Sequence, residues 1–233
     1  MYTDIHCHLL SEIDDGASDV ETSIQMLQEN KRQGVDKIIL TPHYYSDCSI
    51  DEFLAKRNNA VIKLRKEMAK TNSELEISVL LGAEVYYRPS LIEQEDIKKL
   101  CIGGAKYLLL EMPFAKWDRK ALNDIDIMIN SFGITPIMAH IERYLPYNDD
   151  SVIDALLQKN VLVQMNAGFL LSKKNTKKAK SMIKDGMIDF LASDCHNLDS
   201  RPQNLQAAFQ LLEDSKMQTF AETLESNATA FFS

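Results

Sequence analysis

A chain of 233 residues with 45% hydrophobic and 26% charged residues has ordinary globular composition and enough length for one sizeable core. The formal net charge of -8 excludes a broad nucleic-acid or anionic-lipid surface, which needs an excess of Lys and Arg. Eight glycines and six prolines are too few for a linker-rich chain, and no run approaches the ~18 apolar residues of a membrane span.

The first strand is expected over residues 2–6 and ends in His6-Cys7-His8; no basic segment followed by an apolar one precedes it, so no secretory signal is expected. Ser18-Asp19-Val20-Glu21 reads as a capping box opening a helix over 19–33, with Val20, Ile24 and Leu27 at helical spacing and Gly34 as the stop. The strand 37–41 leads into Thr41-Pro42-His43. Ser49-Ile50-Asp51-Glu52 repeats the capping box before an apolar face of Leu54, Val61, Leu64 and Met68. Strand 77–83 ends at Glu84, a helix is expected near 90–99, and strand 106–111 ends at Glu111. Helix 118–131, strand 134–139 with His140 behind it, and helix 150–159 follow. Strand 161–165, helix 174–185 and strand 188–193 lead to Asp194 and His196, before helices near 201–213 and 217–226.

Seven β-then-α units, with strands apolar on both faces, predict an α/β fold: a parallel barrel of the TIM type, one unit short. An open doubly wound sheet is the alternative, but no Gly-rich phosphate loop follows the first strand. Barrel strands end on one rim, so the five histidines, each at or just past a strand end, would converge there. In a strand, His6 and His8 share a face and Cys7 points away; the same spacing relates Asp194 and His196 around Cys195. Alone, His-x-His or an acidic residue at a strand end is weak evidence, because such residues often serve as satisfied caps or turn formers. Five histidines with Glu84, Glu111 and Asp194 ending apolar strands, and Asp15 in the loop after the first, would be costly unless cations bind them. A mixed imidazole and carboxylate set suits Mn, Fe, Zn or Co, and such ions would make the pocket of an acidic chain attractive to phosphate. Arg143 and Arg201 lie on rim loops and can bind phosphate oxygens, or pair with Glu142 and Asp199.

Together, Asp4-Ile5-His6-Cys7-His8, Thr41-Pro42-His43, Gly82-Ala83-Glu84, Glu111, Ala139-His140-Ile141-Glu142-Arg143 and Ser193-Asp194-Cys195-His196-Asn197 resemble the PHP (polymerase and histidinol phosphatase) family of metal-dependent phosphoesterases. Asp14-Asp15-Gly16, Glu84-Val85-Tyr86-Tyr87, His140-Ile141-Glu142-Arg143-Tyr144 and the segment from His196 to Pro202 are most similar to its branch of bacterial protein-tyrosine phosphatases that accompany capsule and exopolysaccharide tyrosine kinases. The resemblance implies a distorted (β/α)7 barrel, one domain over 1–233, with two or three divalent ions, usually Mn, at the C-terminal rim of the strands. By that analogy one ion uses His6, His8, Glu84 and Asp194; a second shares Glu84 and adds Glu111 and His140; a third uses Asp15, His43 and His196. It also implies hydrolysis of phosphotyrosine by a metal-activated hydroxide, with Arg143, Arg201 and Asp194 in the catalytic machinery, on a protein substrate expected to be a tyrosine kinase.

Alternatives remain at this point. A small phosphomonoester such as histidinol phosphate could be the substrate, or the chain could be a non-catalytic metal-binding module. Cys195 and Arg201 also fit the Cys-x5-Arg spacing of thiol phosphatases, though the intervening residues hold no glycine and Asp199 would repel phosphate. The four cysteines lack framework spacing and read as reduced thiols of a cytoplasmic protein; self-association is left open, with the charged outer face of helix 19–33 as one surface for it.

Overall fold

Every predicted strand is present in the computed structural model, which describes residues 1–70, 76–94 and 96–232. They are β1 (Tyr2–Cys7), β2 (Val35–Leu40), β3 (His43–Tyr44), β4 (Ser78–Leu81), β5 (Glu84–Tyr86), β6 (Tyr107–Glu111), β7 (Thr135–Met138), β8 (Leu162–Asn166) and β9 (Phe190–Ala192). Two of the seven predicted strands are broken in line. Thr41-Pro42 separates β2 from β3, where Pro42 has no N–H for the ladder. Gly82-Ala83 separates β4 from β5, and a Cβ on Gly82 would lie 3.1 Å from Ile102 Cγ1. Backbone bonds carry the sheet across both breaks: Thr41 N to Cys7 O at 3.0 Å, Gly82 N to Leu40 O at 2.9 Å and Glu84 N to Pro42 O at 3.1 Å. The buried Arg57 guanidinium donates to Gly82 O at the second break.

The pairing is parallel throughout, in the orders β1-β2-β4 and β3-β5-β6-β7-β8-β9. The last strand position returns to the first by parallel backbone pairing of Cys195 with Cys7, whose thiols are free, with Asp194 N on His6 O and His8 N on Cys195 O, both at 2.9 Å. The sheet therefore curls round to its own start, as the barrel reading expects. Alternation along the strands splits the core in two. Ile5, Ile39, Leu109, Ile137 and Ala192 form an inner cluster. Their neighbours Cys7, Ile38, Leu40, Leu108, Leu110, Met138 and Leu191 belong to the outer one, packed under the helices.

Those helices are α1 (Val20–Arg32), α2 (Ile50–Lys70), α3 (Arg119–Asn130), α4 (Asp150–Leu157), α5 (Ala167–Leu171), α6 (Thr176–Lys184), α7 (Leu205–Asp214) and α8 (Gln218–Thr229). The cap of α1 differs from the expected one. Asp19, not Ser18, accepts from Thr22 N at 2.7 Å, because a carboxylate one residue nearer the helix outcompetes the hydroxyl. The second capping box forms as expected, with Ser49 N on Glu52 Oε2 at 2.9 Å and Glu52 N on Ser49 Oγ at 3.2 Å. The expected helix over 90–99 is instead two short 3-10 turns, Pro89–Glu93 and Ile97–Leu100; position 95 within it lies outside the described residues.

The C-terminal segment closes the end of the barrel opposite the rim, where Phe231 and Phe232 pack against the inner cluster. Glu225 of α8 staples this segment to β1, accepting from Thr3 N at 3.1 Å and Thr3 Oγ at 2.9 Å. Burial raises the Glu225 pKa above the ordinary carboxylate value. A raised folded-state pKa gives stability that is present below the unfolded value and is lost as pH rises through the folded one. Glu225→Gln keeps an acceptor for Thr3 and removes the charge, so as pH rises above 4.5 its unfolding midpoint should depend less on pH than that of the parent, as denaturant titrations would read.

Candidate metal centre

Rim loops and strand ends bring the predicted residues to one place. His6 is the penultimate residue of β1 and His8 the first beyond it, and their Nε2 atoms stand 3.1 Å apart. Glu84 opens β5, whose register sets it beside His43 of β3. Its Oε2 lies 3.0 Å from His6 Nε2, 3.1 Å from His8 Nε2 and 3.1 Å from His43 Nδ1. Its Oε1 lies 2.9 Å from His140 Nε2, which is also 3.5 Å from Glu111 Oε1. Asp194 Oδ1 stands 3.4 Å from His6 Nε2 and 3.5 Å from His8 Nε2. Asp15, exposed in its loop, approaches His196 Nε2 at 3.3 Å and His43 Nε2 at 3.5 Å.

One local expectation is corrected here. Asp194 and His196 do not share a strand face, because β9 stops at Ala192 and Asp194 has a φ of +53°. His140 is likewise left-handed, at φ +33° and ψ +58°. Such conformations in non-glycine residues cost on the order of 1–3 kcal/mol and persist where the surroundings impose them. At both positions the turn aims the side chain into the cage.

Three imidazoles are oriented from outside. His8 Nδ1 donates to Asp14 Oδ2 at 2.7 Å, His6 Nδ1 to Gln164 Oε1 at 3.2 Å and His196 Nδ1 to the Asp194 carbonyl at 2.9 Å. Each leaves its Nε2 lone pair facing inward, the arrangement by which metal-binding histidines are commonly held. Asp14, Gln164 and Asn166 were not singled out for the site from sequence. Gln164 and Asn166 carry a readable signal, since they put polar groups at i and i+2 in the otherwise apolar strand Leu162–Asn166. Asp14 carries none that separates it from Asp15. Gly16 fixes this loop: a Cβ there would sit 2.1 Å from His8 O and 2.7 Å from His8 Cβ. Gly16→Ala should cost about 1–3 kcal/mol in a denaturant titration, as overpacking does, and should displace the Asp14-Asp15 pair.

Asp194 is divided between two jobs. Its Oδ2 accepts from Arg143 Nη2 at 2.6 Å, Arg201 Nη2 at 2.8 Å and Asn166 Nδ2 at 2.8 Å. Its Oδ1 is buried without a hydrogen bond, as are Glu84 Oε2, His43 Nδ1, His140 Nδ1 and His196 Nε2. Buried polar atoms seldom stay unpaired, yet Glu84 Oε2 lies 3.1 Å from His43 Nδ1, and Asp194 Oδ1 3.4 Å from His6 Nε2, without a hydrogen bond. Among the described residues, three groups of donor atoms at the cage each lie within 4.8 Å of one another: His6, His8, Glu84 and Asp194; His8, Asp15, His43 and His196; and His43, Glu84 and Glu111. Unpaired acceptors, inward lone pairs and a mixed nitrogen and oxygen donor set fit divalent cations of the Mn, Fe, Zn or Co kind.

The electrostatics agree. Burial holds His43 and His140 below the ordinary imidazole value, and burial with the neighbouring His8 pushes His196 down to about 4. Burial would lower His6 and His8 too, but Glu84 and Asp194 beside His6, and Asp14 and Glu84 beside His8, reverse the shift. Burial and the Glu84 charge push Glu111 up to about 8. Two carboxyl groups this close favour one of them keeping a proton when no cation is shared between them; against burial, His6 and His140 hold Glu84 itself well below the ordinary value. Next to the cage, a cavity of about 330 Å³ is lined by Arg143, Arg201, Asn166, Glu142 and Phe169 among others.

Among solved structures, the chain is similar to the metal-dependent tyrosine phosphatases YwqE from Bacillus subtilis and CpsB from Streptococcus pneumoniae, with a TM-score of 0.84, 29% identity and coverage of 98% of this chain and 93% of that one. Histidinol phosphate phosphatase from Lactococcus lactis shares the fold, with a TM-score of 0.59 at 13% identity over 94% of this chain and 93% of that one. The tyrosine-protein phosphatase CpsB of Streptococcus agalactiae is 30% identical over 223 residues, 90% of this chain and 88% of the relative. Residues 2–232 match the family described as "Capsular polysaccharide synthesis, CpsB/CapC". With that match spanning nearly its whole length, the chain belongs to the CpsB/CapC family.

Proposed function

We propose that this chain is a single-domain, metal-dependent protein-tyrosine phosphatase over residues 1–233. Its substrate would be a phosphotyrosine protein, a tyrosine kinase governing capsule or exopolysaccharide synthesis, met in the cytoplasm. The observation that carries this reading is the convergence of Glu84 Oε2 and Asp194 Oδ1, buried and without hydrogen bonds, on inward-facing imidazole nitrogens. The family and the tyrosine-phosphatase relatives support it. Among the described residues no helix is long and apolar enough to cross a membrane.

His6, His8, Glu84 and Asp194 would hold one ion, Glu84 with Glu111 and His140 a second, and Asp15, His43 and His196 a third, Mn being the metal we favour. Such ions supply Lewis acidity toward phosphoryl oxygens and lower the pKa of water. The protein's own contribution is positioning. Arg143 and Arg201, both anchored on Asp194 Oδ2 and both part-exposed to the cavity, can turn their remaining N–H groups to the phosphoryl oxygens and stabilise charge as it develops. Asp194 thereby links the cage to the anion-binding edge. Asn166, the third donor on that oxygen, keeps its other oxygen turned toward His6 and His8. A phenolate leaving group, with a pKa near ~10, needs little protonation, so no general acid is assigned.

The thiol route is disfavoured by where Cys195 lies. Its Sγ is buried and 3.4 Å from Cys7 Sγ, on the outer side of the strands rather than in the cage. Cys195→Ser is expected to keep most of the phosphatase activity, whereas the thiol route requires its loss. Substrate class is tested by turnover on phosphotyrosine peptides against histidinol phosphate: preference for the peptides supports the reading, and preference for histidinol phosphate replaces it.

A further inference from the structure

Two exposed aromatic side chains stand on imidazoles of the cage. Tyr45, 38% exposed, stacks on His43 with ring centroids 4.8 Å apart and planes 26° apart. Phe114, 43% exposed, leans on His140 at 5.8 Å. Of the exposed large apolar side chains among the described residues, these are the two in ring contact with a cage imidazole. The two imidazoles meet opposite oxygens of one carboxylate, His43 at Glu84 Oε2 and His140 at Glu84 Oε1. Tyr86, whose ring is 5.8 Å from that of Tyr45, continues the arc and lies in register with Glu111. The Asp194 side of the cage is the cationic one, carrying Arg143 and Arg201, and His6 stands between, 3.0 Å from Glu84 Oε2 and 3.4 Å from Asp194 Oδ1. The rim thus has a guanidinium side and an aromatic side.

Both rings are held in place. The residue before Tyr45, Tyr44, is buried and donates its hydroxyl to Gln94 Oε1 at 2.9 Å, and the residue after it, Ser46, accepts from Gln94 Nε2 at 3.4 Å. Phe114 stacks on the buried Tyr144, 5.8 Å away at 27°, and the Tyr144 hydroxyl accepts from Met112 N at 2.9 Å. Rings fixed in advance lose little freedom when a ligand ring docks on them, and aromatic pairs gain from offset or edge contacts at 4.5–7 Å between centroids.

We propose that Tyr45 and Phe114 determine specificity by seating the aryl group of an aryl phosphomonoester while its phosphoryl group lies toward Arg143 and Arg201. This rests on the phosphatase reading above and adds to it a reason for preferring tyrosyl over alkyl esters. Neither ring takes part in bond breaking.

The test uses Mn(II)-loaded full-length protein and the variants Tyr45→Leu, Phe114→Leu and the double. Two readouts are taken: kcat/KM for phenyl phosphate against glycerol 2-phosphate, and calorimetric Kd for phenylphosphonate against methylphosphonate. The aryl-over-alkyl ratio should fall roughly threefold to tenfold per ring in both readouts, with Tyr45→Phe and Phe114→Tyr near the parent. Metal content per chain, measured in parallel, should match the parent. Unchanged ratios overturn the proposal, as does equal loss toward both probes with loss of metal, which would make the rings mere shields of the imidazoles. A parent that prefers phenylphosphonate but hydrolyses no aryl phosphate upholds the aromatic rim and removes the phosphatase reading. A parent that hydrolyses phenyl phosphate while the variants keep its ratios removes the rim alone.

Discussion

Glu84→Gln is expected to lower phosphotyrosine turnover by at least about a hundredfold, the upper end of what losing even an outer partner of a metal ligand costs, and to lose bound metal with it. Glu84 is the carboxylate on which the cage converges, meeting His6, His8 and His43 through one oxygen and His140 through the other. The amide is nearly isosteric, so packing against the barrel wall survives. It can offer only one acceptor oxygen, though, and its NH2 would point a donor where a ligand lone pair is needed. Steady-state kinetics and element analysis of the same preparation check both halves. Turnover within tenfold of the parent at full metal content would show that Glu84 is a structural residue.

The second large effect is expected at the arginines. Arg143→Ala and Arg201→Ala should each lower kcat by about a hundredfold to a thousandfold, the loss typical of removing one donor to developing charge, with little change in metal content. Both guanidinium groups bond the same Asp194 oxygen, so the double variant should lose less than the product of the single losses. Lysine should rescue poorly, since a point charge cannot bond Asp194 and a phosphoryl oxygen as a planar fork does. Unaltered kcat in both single variants would reduce the arginines to holders of Asp194.

Much of this was legible in sequence because barrel topology turns strand ends into neighbours. The apolar runs located all seven strand positions, and the residues at or just past six of their ends named histidines and carboxylates that the structure gathers; the run 161–165 named none. Three features were not legible, for physical reasons. The breaks at Thr41-Pro42 and Gly82-Ala83 fall where Pro42 offers no amide donor and where a side chain on Gly82 would crowd Ile102, and the second depends on tertiary packing. The left-handed turns at His140 and Asp194 are imposed by the cage and run against local preference, so no propensity rule announces them. The division of the adjacent Asp14 and Asp15, one behind His8 and the other facing His43 and His196, depends on how Gly16 lies against His8. The aromatic side of the rim was invisible for a different reason: Tyr45 and Phe114 sit in loops without periodicity, and only the fold places them on His43 and His140.

Metal removal and return is the most direct test of the central claim, that remote side chains assemble one multinuclear site on which hydrolysis depends. Purified protein would be assayed by element analysis and by phosphotyrosine hydrolysis before chelation, after chelation and dialysis, and after Mn(II) is added back. The account predicts two or three equivalents of metal in active protein, loss of activity with the metal, and its recovery on return. Full hydrolysis by protein shown to be metal-free would contradict it.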